Sequence, residues 1–395
     1  MLRTTPFHAR TAPLVLGSTW RRWSGYAVAS SYDWSHDREY AALRSTAGLI
    51  DISPLHKYLI EGADAVRLLD RMVTRDVSAA QVGQVLYTPW CDAQGKVIDD
   101  GTITRLAPER YRLTCAEPAF RWLHENAFGL DVSISETSDT LAALALQGPL
   151  SRRILNAVAE QDVDALKYFR TMPNSIRAIP IEISRTGYTG DLGYELWIPA
   201  QSALAIWDAL ISAGESYGIV PAGIWALDVA RIEAGLLMLD VDYHCAHRAL
   251  TDAQKSSPFE LSLERTVHLE KGPFNGRRAL QAEQARGVAS RFVGIEVDWD
   301  SLESLYAPLD MQPVLPMIPW RASTPIYRGK RQIGYASSGC WSPLLKKYIA
   351  VGHLQTPYCA PDTPVQMEIT VEHRRMRAAA IVRKLPFFDP PRKRA

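Results

Sequence analysis

The sequence lacks the features that define several large classes of protein. No apolar run approaches the roughly 20 residues that a membrane-spanning helix needs. The early run at 12–17 is too short for the core of a signal peptide. With 44 Lys and Arg against 43 Asp and Glu, the formal charge of +1 gives no general attraction to nucleic acid or to anionic membranes. We therefore expect a soluble, cytoplasmic protein, and 395 residues suggest two or three domains.

Closely spaced cysteine pairs are missing as well. A disulfide framework or a structural zinc site needs thiols at short, regular spacings, and no CxxC pair occurs here. We therefore predict reduced thiols that are mostly buried, and no metal site. The cysteines are Cys91, Cys115, Cys245, Cys340 and Cys359.

The common hydrolase and kinase signatures are also missing. The sequence contains no GxSxG, no HExxH and no phosphate-binding loop, so these classes of enzyme lose their usual support. What is present is 47% hydrophobic and 22% charged residues, the composition of a soluble protein with a sizeable core.

The first part of the chain predicts a mixture of helices and strands. The first thirty residues show no regular pattern, and Gly48 is expected to stop the helix that precedes it. Because strands and helices do not alternate regularly, a doubly wound parallel sheet is disfavoured. Apolar spacing and turn residues predict, in chain order, a helix, a strand, a helix, a hairpin turn, a strand and a helix at 37–48, 56–61, 63–74, 91–96, 110–116 and 118–127.

The pattern restarts at about residue 140. An almost unbroken apolar strand at 141–146 indicates burial on both faces. A strand at 176–184, a glycine-rich hairpin and two helices, which end near Gly214 and Ala234, follow. After about residue 290, short strands separated by Pro and Gly predict a small all-β barrel or sandwich.

The segment GKVIDDG at 95–101 places two carboxylates side by side in a strand. Adjacent strand residues face opposite sides, so Asp99 and Asp100 cannot both point at one ligand. A carboxylate in apolar surroundings has a raised pKa, which suits proton transfer. The alternative is an ordinary acid at the edge of a hairpin.

The segment RTGYTGDLGYEL at 185–196 carries three glycines at intervals of three. This spacing is not the GxGxxG of dinucleotide-binding folds, and no helix follows directly. Glycines permit close backbone approach to a ligand, Tyr188 and Tyr194 offer rings for stacking, and Glu195 offers a bidentate acceptor for paired N–H donors. The alternative is a tight hairpin with aromatic packing.

Two further segments carry polar groups. In LDVARIEAG at 227–235, Asp228 and Arg231 are neighbours on a predicted helix and could simply pair on the surface. In YHCAH at 243–247, two imidazoles and a thiol lie close together, but a metal site would need a second cluster of ligands. Ordinary loop residues are the favoured interpretation of this second segment.

Taken in order, these segments resemble the glycine cleavage T-protein (aminomethyltransferase) family over nearly the whole chain. Each piece is modest alone, but their order is specific to that family, and a proline–aromatic pair closes the chain in the family's manner. The matching pieces are AGLIDIS at 47–53, GKVIDD at 95–100, ALQGP at 145–149, TGYTGDLGYEL at 186–196, RIEAG at 231–235, FNGRRAL at 274–280, SGCWSP at 338–343 and PFF at 386–388.

The resemblance implies an α+β fold, a three-domain cloverleaf of the T-protein type that ends in an all-β barrel. The implied domains are a discontinuous folate-binding domain (1–50 with 141–245), a second α+β domain that carries the Asp100 hairpin (51–140), a connector (246–289) and the C-terminal β-barrel (290–395). The central hole of such a fold holds tetrahydrofolate, with no metal and no nicotinamide cofactor.

The resemblance also implies roles for single residues. Asp100 would be the catalytic group near the folate amines, with Glu195 on the amino-pyrimidine edge of the pterin and Arg231 beside it. Tyr87 and Tyr188 complete the implied cofactor-binding set. The implied activity is a tetrahydrofolate-dependent transfer of a methyl or aminomethyl-derived carbon. The alternative is a non-catalytic folate-binding protein of the iron–sulfur-maintenance type, whose members usually lack the Asp that this chain retains.

The donor side departs from the family pattern. Leu227 stands where the T-protein usually has Arg, Pro54 follows Ser53 in place of His, and 239–243 replaces the usual Gly-Gln-Glu. The pattern at 226–228 looks more like folate-dependent demethylating relatives. Leu227, Tyr243 and His244 are therefore the candidate substrate-binding residues. A small methylated donor and a lipoyl carrier protein both stay open as partners, and we expect a monomer or a homodimer.

Overall fold

The computed structural model describes residues 2–395. The helices are α1 (His8–Thr11), α2 (Asp37–Ser45), α3 (Ala65–Met72), α4 (Phe120–Asn126), α5 (Ser151–Asn156), α6 (Ala203–Gly214), α7 (Ile224–Glu233), α8 (Arg277–Arg286) and α9 (Trp299–Tyr306). The strands of the first half are β1 (Arg3–Thr4), β2 (Trp20–Trp23), β3 (Tyr26–Ala29), β4 (Ala47–Asp51), β5 (His56–Glu61), β6 (Val85–Cys91), β7 (Val97–Ala107), β8 (Arg110–Cys115), β9 (Ser133–Glu136) and β10 (Leu141–Gln147). The later strands are β11 (Thr171–Ile176), β12 (Ile179–Ser184), β13 (Gly193–Pro199), β14 (Ile219–Pro221), β15 (Ser290–Val297), β16 (Thr324–Arg328), β17 (Arg331–Ser342), β18 (Lys347–Gln355), β19 (Pro364–Val371) and β20 (Arg374–Arg383).

A six-stranded sheet in the order β11–β12–β13–β10–β4–β14 forms one layer of the structure. Leu144 in β10 packs with helices α5 and α6, whereas the next residue, Ala145, belongs to the cluster that holds α2 and α7. Because consecutive strand residues face opposite sides, the sheet is covered by helices on both faces. The predicted burial of both faces of this strand is confirmed.

A five-stranded antiparallel sheet in the order β6–β7–β8–β5–β9 carries the predicted hairpin. Helices α3 and α4 complete its core with Leu68, Leu69 and Leu123. The turn residues between β6 and β7 set the register that pairs Asp100 with Pro89 and Tyr87 with Thr102. The strand predicted at 56–61 is confirmed at those bounds.

The last part of the chain closes a six-stranded barrel in the order β15–β18–β17–β16–β19–β20. Alternating apolar residues fill its interior, among them Ile295, Ile333, Met367 and Val382. The predicted α+β fold with a C-terminal all-β barrel is therefore confirmed. Strand β16 and helices α8 and α9 were not predicted from the sequence pattern.

Three local predictions are wrong. The first thirty residues are not irregular, because β1, β2 and β3 form a sheet from strands too short to show an alternating pattern. The helix predicted at 37–48 ends at Ser45, and Gly48 lies in β4, where its missing side chain makes room for Leu43. The strand predicted at 176–184 is two strands, joined by Arg177 and Ala178 at positive φ without a glycine to signal the turn.

The prediction that the thiols are unpaired and mostly buried is confirmed. All five thiols are free, four of them are buried, and Cys359 is half-buried. Within residues 2–395, no helix has both the length and the apolar character needed to cross a membrane. Those same residues contain no group of three or more His, Cys, Asp or Glu arranged to hold a metal ion.

Candidate functional site

The β6–β7 hairpin brings Tyr87 and Asp100 together. Tyr243 donates a hydroxyl hydrogen bond to the Asp100 carboxylate, which is half-buried on strand β7, and Tyr87 lies near the same carboxylate. Burial raises the pKa of Asp100, and the two tyrosine hydroxyl groups oppose that rise because they stabilise the ionised form. Asp100 is therefore a carboxyl group with tuned basicity, able to accept or hold a proton.

Asp99 has a different environment, as the alternation of the strand predicts. Its carboxylate is buried and accepts the backbone N–H groups of Asp100 (2.8 Å) and Glu117 (3.3 Å). Burial and the neighbouring Asp100 charge raise the pKa of Asp99. Asp99 thus binds the nearby backbone, and Asp100 is the carboxylate that lies beside the two tyrosines.

The glycine-rich hairpin encloses a buried glutamine. A side chain at Gly187 or Gly193 would overlap the amide of Gln147, so both glycines are needed for this close approach. The Gln147 amide donates to the Thr186 carbonyl (3.1 Å) and accepts from the Thr189 hydroxyl (2.8 Å). This packing fixes the hairpin that carries Tyr188 and Glu195.

Glu195 is half-buried on strand β13. It accepts a hydrogen bond of 2.5 Å from the Thr186 hydroxyl. Burial raises the pKa of Glu195, while Thr186 and the nearby Arg112 charge oppose that rise. The Arg112 guanidinium lies over the Trp197 ring at 4.1 Å from its centroid. The sequence patterns did not single out Arg112, because an arginine in a strand ordinarily faces solvent.

Arg231 is fully buried and joins two carboxylates. Its Nε lies 3.2 Å from Asp228 and its Nη1 2.5 Å from Asp242. The predicted i,i+3 pair of Asp228 and Arg231 therefore exists, but in the interior and not on the surface. The remaining nitrogen, Arg231 Nη2, has no hydrogen-bond partner among residues 2–395. No pattern in the sequence pointed to Asp242.

The three candidate substrate-binding residues lie in different environments. Leu227 is buried in the core cluster that packs α7 against the six-stranded sheet. Tyr243 contacts Asp100 directly, which its favoured interpretation as an ordinary loop residue did not anticipate. His244 is half-buried and pairs with the backbone of Lys255.

Four of the candidate side chains share an unusual combination of properties. Each keeps part of its surface accessible, yet burial raises the pKa of each one. Each of these groups is therefore partly accessible although protein atoms surround most of it. Tyr188 also lies within electrostatic reach of both Asp100 and Arg231. The four side chains are Tyr87, Asp100, Tyr188 and Glu195.

Two family models match the chain. The model described as the GCVT N-terminal domain matches residues 7–271. The model described as the glycine cleavage T-protein C-terminal barrel domain matches residues 308–389.

Curated relatives span almost the same length. An aminomethyltransferase of Moorella thermoacetica is 33% identical over 396 residues, which covers 99% of both chains. An aminomethyltransferase of Halothermothrix orenii is 32% identical over 377 residues, which covers 94% of this chain and 97% of the relative.

A solved structure has the same fold. The glycine cleavage system aminomethyltransferase T from Bartonella henselae superposes with a TM-score of 0.83. The match covers 98% of this chain and 99% of that chain, at 24% sequence identity.

Proposed function

The chain belongs to the glycine cleavage T-protein family, and from this premise we propose that it is an aminomethyltransferase that passes a one-carbon unit from a donor to tetrahydrofolate. The observation that carries the proposal is the unpartnered Nη2 of the fully buried Arg231. Such a nitrogen costs free energy unless a ligand accepts its hydrogen bond. Tyr188, which lies within its electrostatic reach, also lies within reach of Asp100.

The residues around this nitrogen fit tetrahydrofolate. The Glu195 carboxylate can accept the paired N–H donors of an amino-pyrimidine edge. Tyr87 and Tyr188 supply rings for a flat heterocycle, and each keeps an accessible part of its surface. Arg231 Nη2 would donate to an acceptor of the same ligand. This assignment gives every one of the four groups a complementary partner.

Tetrahydrofolate would supply the nucleophilic amine that receives the carbon. Asp100 would orient that amine and take up the proton released as the new bond forms. The hydroxyl group of Tyr243 holds the Asp100 carboxylate in place, and together with the nearby Tyr87 it favours the ionised form. Holding both reactants in one enclosed space would supply a large part of the rate enhancement.

The donor that fits the family is an aminomethyl group on the lipoyl arm of a carrier protein. A free small methylated donor is the other candidate, motivated by Leu227 in place of the usual Arg. In this structure, Leu227 contributes to the core of helix α7. Because Leu227 is buried there, its presence in place of Arg is better explained by packing of the helix than by a changed donor-binding surface. This favours the carrier-bound donor.

The test is to incubate the protein with tetrahydrofolate and aminomethyl-lipoyl carrier protein, and to measure methylene-tetrahydrofolate and ammonia. We expect the wild-type protein to form both products in equal amounts. The Asp100→Asn protein should form both of them much more slowly. If product formed only from a free methylamine or a methoxy compound, the donor would be a small free molecule and not the lipoyl carrier protein. Tetrahydrofolate binding with no product from any donor would instead favour a non-catalytic folate-binding protein.

A further inference from the structure

Three arginines from distant parts of the chain meet at Asp228 of helix α7. Arg231, one turn further along the helix, contacts Oδ1 at 3.2 Å. Arg321, which precedes the barrel strand β16, contacts Oδ2 at 2.6 Å. Arg21, from the amino-terminal strand β2, lies 3.9 Å from the same oxygen. The family resemblance assigned no role to Arg21 or Arg321.

The charges of this cluster do not balance. Asp228 and Asp242 are the two carboxylates that contact the three guanidinium groups. Asp242 is further occupied by the hydroxyl groups of two serines, Ser337 and Ser338. One positive charge is therefore left without a carboxylate, and by distance it belongs to Arg21.

Arg21 is the least satisfied member of the cluster. Within residues 2–395, its guanidinium forms no hydrogen bond, and its side chain is 32% exposed. Burial and the neighbouring Arg321 charge both lower the pKa of Arg21. Two guanidinium groups that share one carboxylate oxygen carry more positive charge than that oxygen neutralises, and their planar forks match a second carboxylate in shape.

The cluster borders the proposed folate space. Arg231 connects the two regions, because it contacts Asp228 at 3.2 Å and Asp242 at 2.5 Å, and Asp242 directly precedes Tyr243, whose hydroxyl donates to Asp100. The Arg321 side chain is 21% exposed, so it is accessible beside Arg21. A ligand held by these two arginines would therefore lie next to the groups that surround Asp100.

We propose that Arg21 and Arg321 form a binding site for a carboxylate of a ligand that occupies the proposed folate space. This proposal rests on the proposed function and adds the chemical class that the second end of the site recognises. Two sources carry that group: the glutamyl end of tetrahydrofolate, and an N-methylated amino acid that acts as donor.

The test compares Arg21→Gln and Arg321→Gln with Arg22→Gln. Arg22 neighbours Arg21 on the same strand but is exposed on the opposite face, so it is a matched control for the loss of one charge. Because Arg21 makes no hydrogen bond, Arg21→Gln should keep the fold even if Arg321→Gln weakens it. Each protein is titrated by calorimetry with tetrahydrofolate, with 6-methyltetrahydropterin, which keeps the reduced pterin but has no carboxylate, and with N-methylglycine.

We expect both site variants to lose at least about tenfold in affinity for one carboxylate ligand, while Arg22→Gln matches the wild type. Loss of affinity for tetrahydrofolate but not for 6-methyltetrahydropterin assigns the site to the glutamyl end. Loss for N-methylglycine alone assigns it to a donor. Wild-type affinities for all three ligands in Arg21→Gln and Arg321→Gln would overturn the proposal.

The same titrations separate this proposal from the proposed function. If the wild type bound no tetrahydrofolate, the proposed function would fail. In that case, N-methylglycine binding by the wild type that is lost in Arg21→Gln would still support the carboxylate site. If the wild type bound no N-methylglycine either, the carboxylate site would be rejected as well.

Discussion

At the scale of single residues, two adjacent aspartates in one strand have opposite roles. Asp99 accepts two backbone N–H groups, whereas Asp100 accepts the hydroxyl group of Tyr243 and lies near Tyr87. The side chains differ only in the face of strand β7 that each occupies. Matched substitutions of the two residues can therefore distinguish the effect of a charge inside the proposed site from the effect of a charge next to it.

Asp100→Asn should retain tetrahydrofolate binding and reduce kcat at least about a hundredfold, the usual scale for loss of a proton-transfer group. The amide keeps the shape and one acceptor but removes the basicity. Asp99→Asn should leave kcat nearly unchanged and cost on the order of 1 kcal/mol of stability through one weakened N–H contact. Steady-state kinetics and denaturant unfolding measure the two effects. Equal losses of kcat in the two variants would refute the assignment.

Tyr243→Phe should move the acidic limb of the pH profile of kcat/KM to higher pH. The Tyr243 hydroxyl donates to the Asp100 carboxylate and so stabilises its ionised form. Without that bond the pKa of Asp100 rises further, and a higher pH is needed to ionise the base. A profile that stays in place, or moves to lower pH, would show that Asp100 does not act as the base.

Glu195→Gln should weaken tetrahydrofolate binding by on the order of 2–4 kcal/mol. The substituted amide directs an N–H₂ group at the ligand's donors, so an acceptor is lost and a buried donor is left unpaired. Calorimetric titration measures the change, with Glu109→Gln at an exposed turn as the control. Unchanged affinity in Glu195→Gln would remove this residue from the site.

At the scale of elements, the hairpin that carries Tyr188 and Glu195 depends on the space its glycines leave. Gly190 adopts a positive φ of 73°, whereas Gly187 and Gly193 are required for the approach of the Gln147 amide. The glycine spacing in the sequence predicted a hairpin, but Gln147 lies forty residues before Gly187. The partner of the glycines was therefore not predictable from the motif itself.

Gly187→Ala should cost about 1–3 kcal/mol of stability, the usual range for an overpacked site, because the new methyl group overlaps the Gln147 amide. Tetrahydrofolate affinity should fall as well, since the hairpin must shift. Gly272→Ala is the control, because that glycine faces open space at an ordinary φ. Denaturant unfolding and calorimetry give the two quantities. A Gly187→Ala protein as stable as the Gly272→Ala protein would contradict this account.

At the scale of the whole molecule, helix α7 connects the six-stranded sheet to the barrel. The buried Glu233 carboxylate accepts from Arg44 of helix α2 at 2.6 Å and from the hydroxyl groups of Tyr40 and Ser342. Ser342 lies at the end of barrel strand β17. One carboxylate therefore holds two helices and the barrel in a fixed relation.

Glu233→Ala should lower the free energy of unfolding by about 3–5 kcal/mol, because the buried Arg44 charge keeps only the more distant Asp191 carboxylate, at 3.6 Å, and the hydroxyl groups of Tyr40 and Ser342 lose their acceptor. Glu125→Ala, which breaks the exposed pair with Arg121, should change stability by less than about 1 kcal/mol. Urea unfolding of the three proteins measures both values. A small, equal loss in the two variants would show that Glu233 does not hold the parts together.

The sequence alone determined most of the local structure and the family. Periodic apolar residues and turn chemistry located strand β5, the Asp100 hairpin and several barrel strands, because these signals act over a few residues. Failures occurred where the local signal was weak, as at the turn of Arg177 and Ala178. The roles of Asp100, Glu195 and Arg231 came from resemblance and stay proposals.

Only the tertiary structure decided which groups meet. Arg21, Asp228 and Arg321 lie in three segments that are 207 and 93 residues apart along the chain, and no local pattern relates them. Tyr243, in a segment that resembled an ordinary loop, reaches Asp100 from the other half of the molecule. Such contacts depend on how the sheets, helix α7 and the barrel pack together, because hydrophobic burial fixes relative placement that spacing along the chain does not encode.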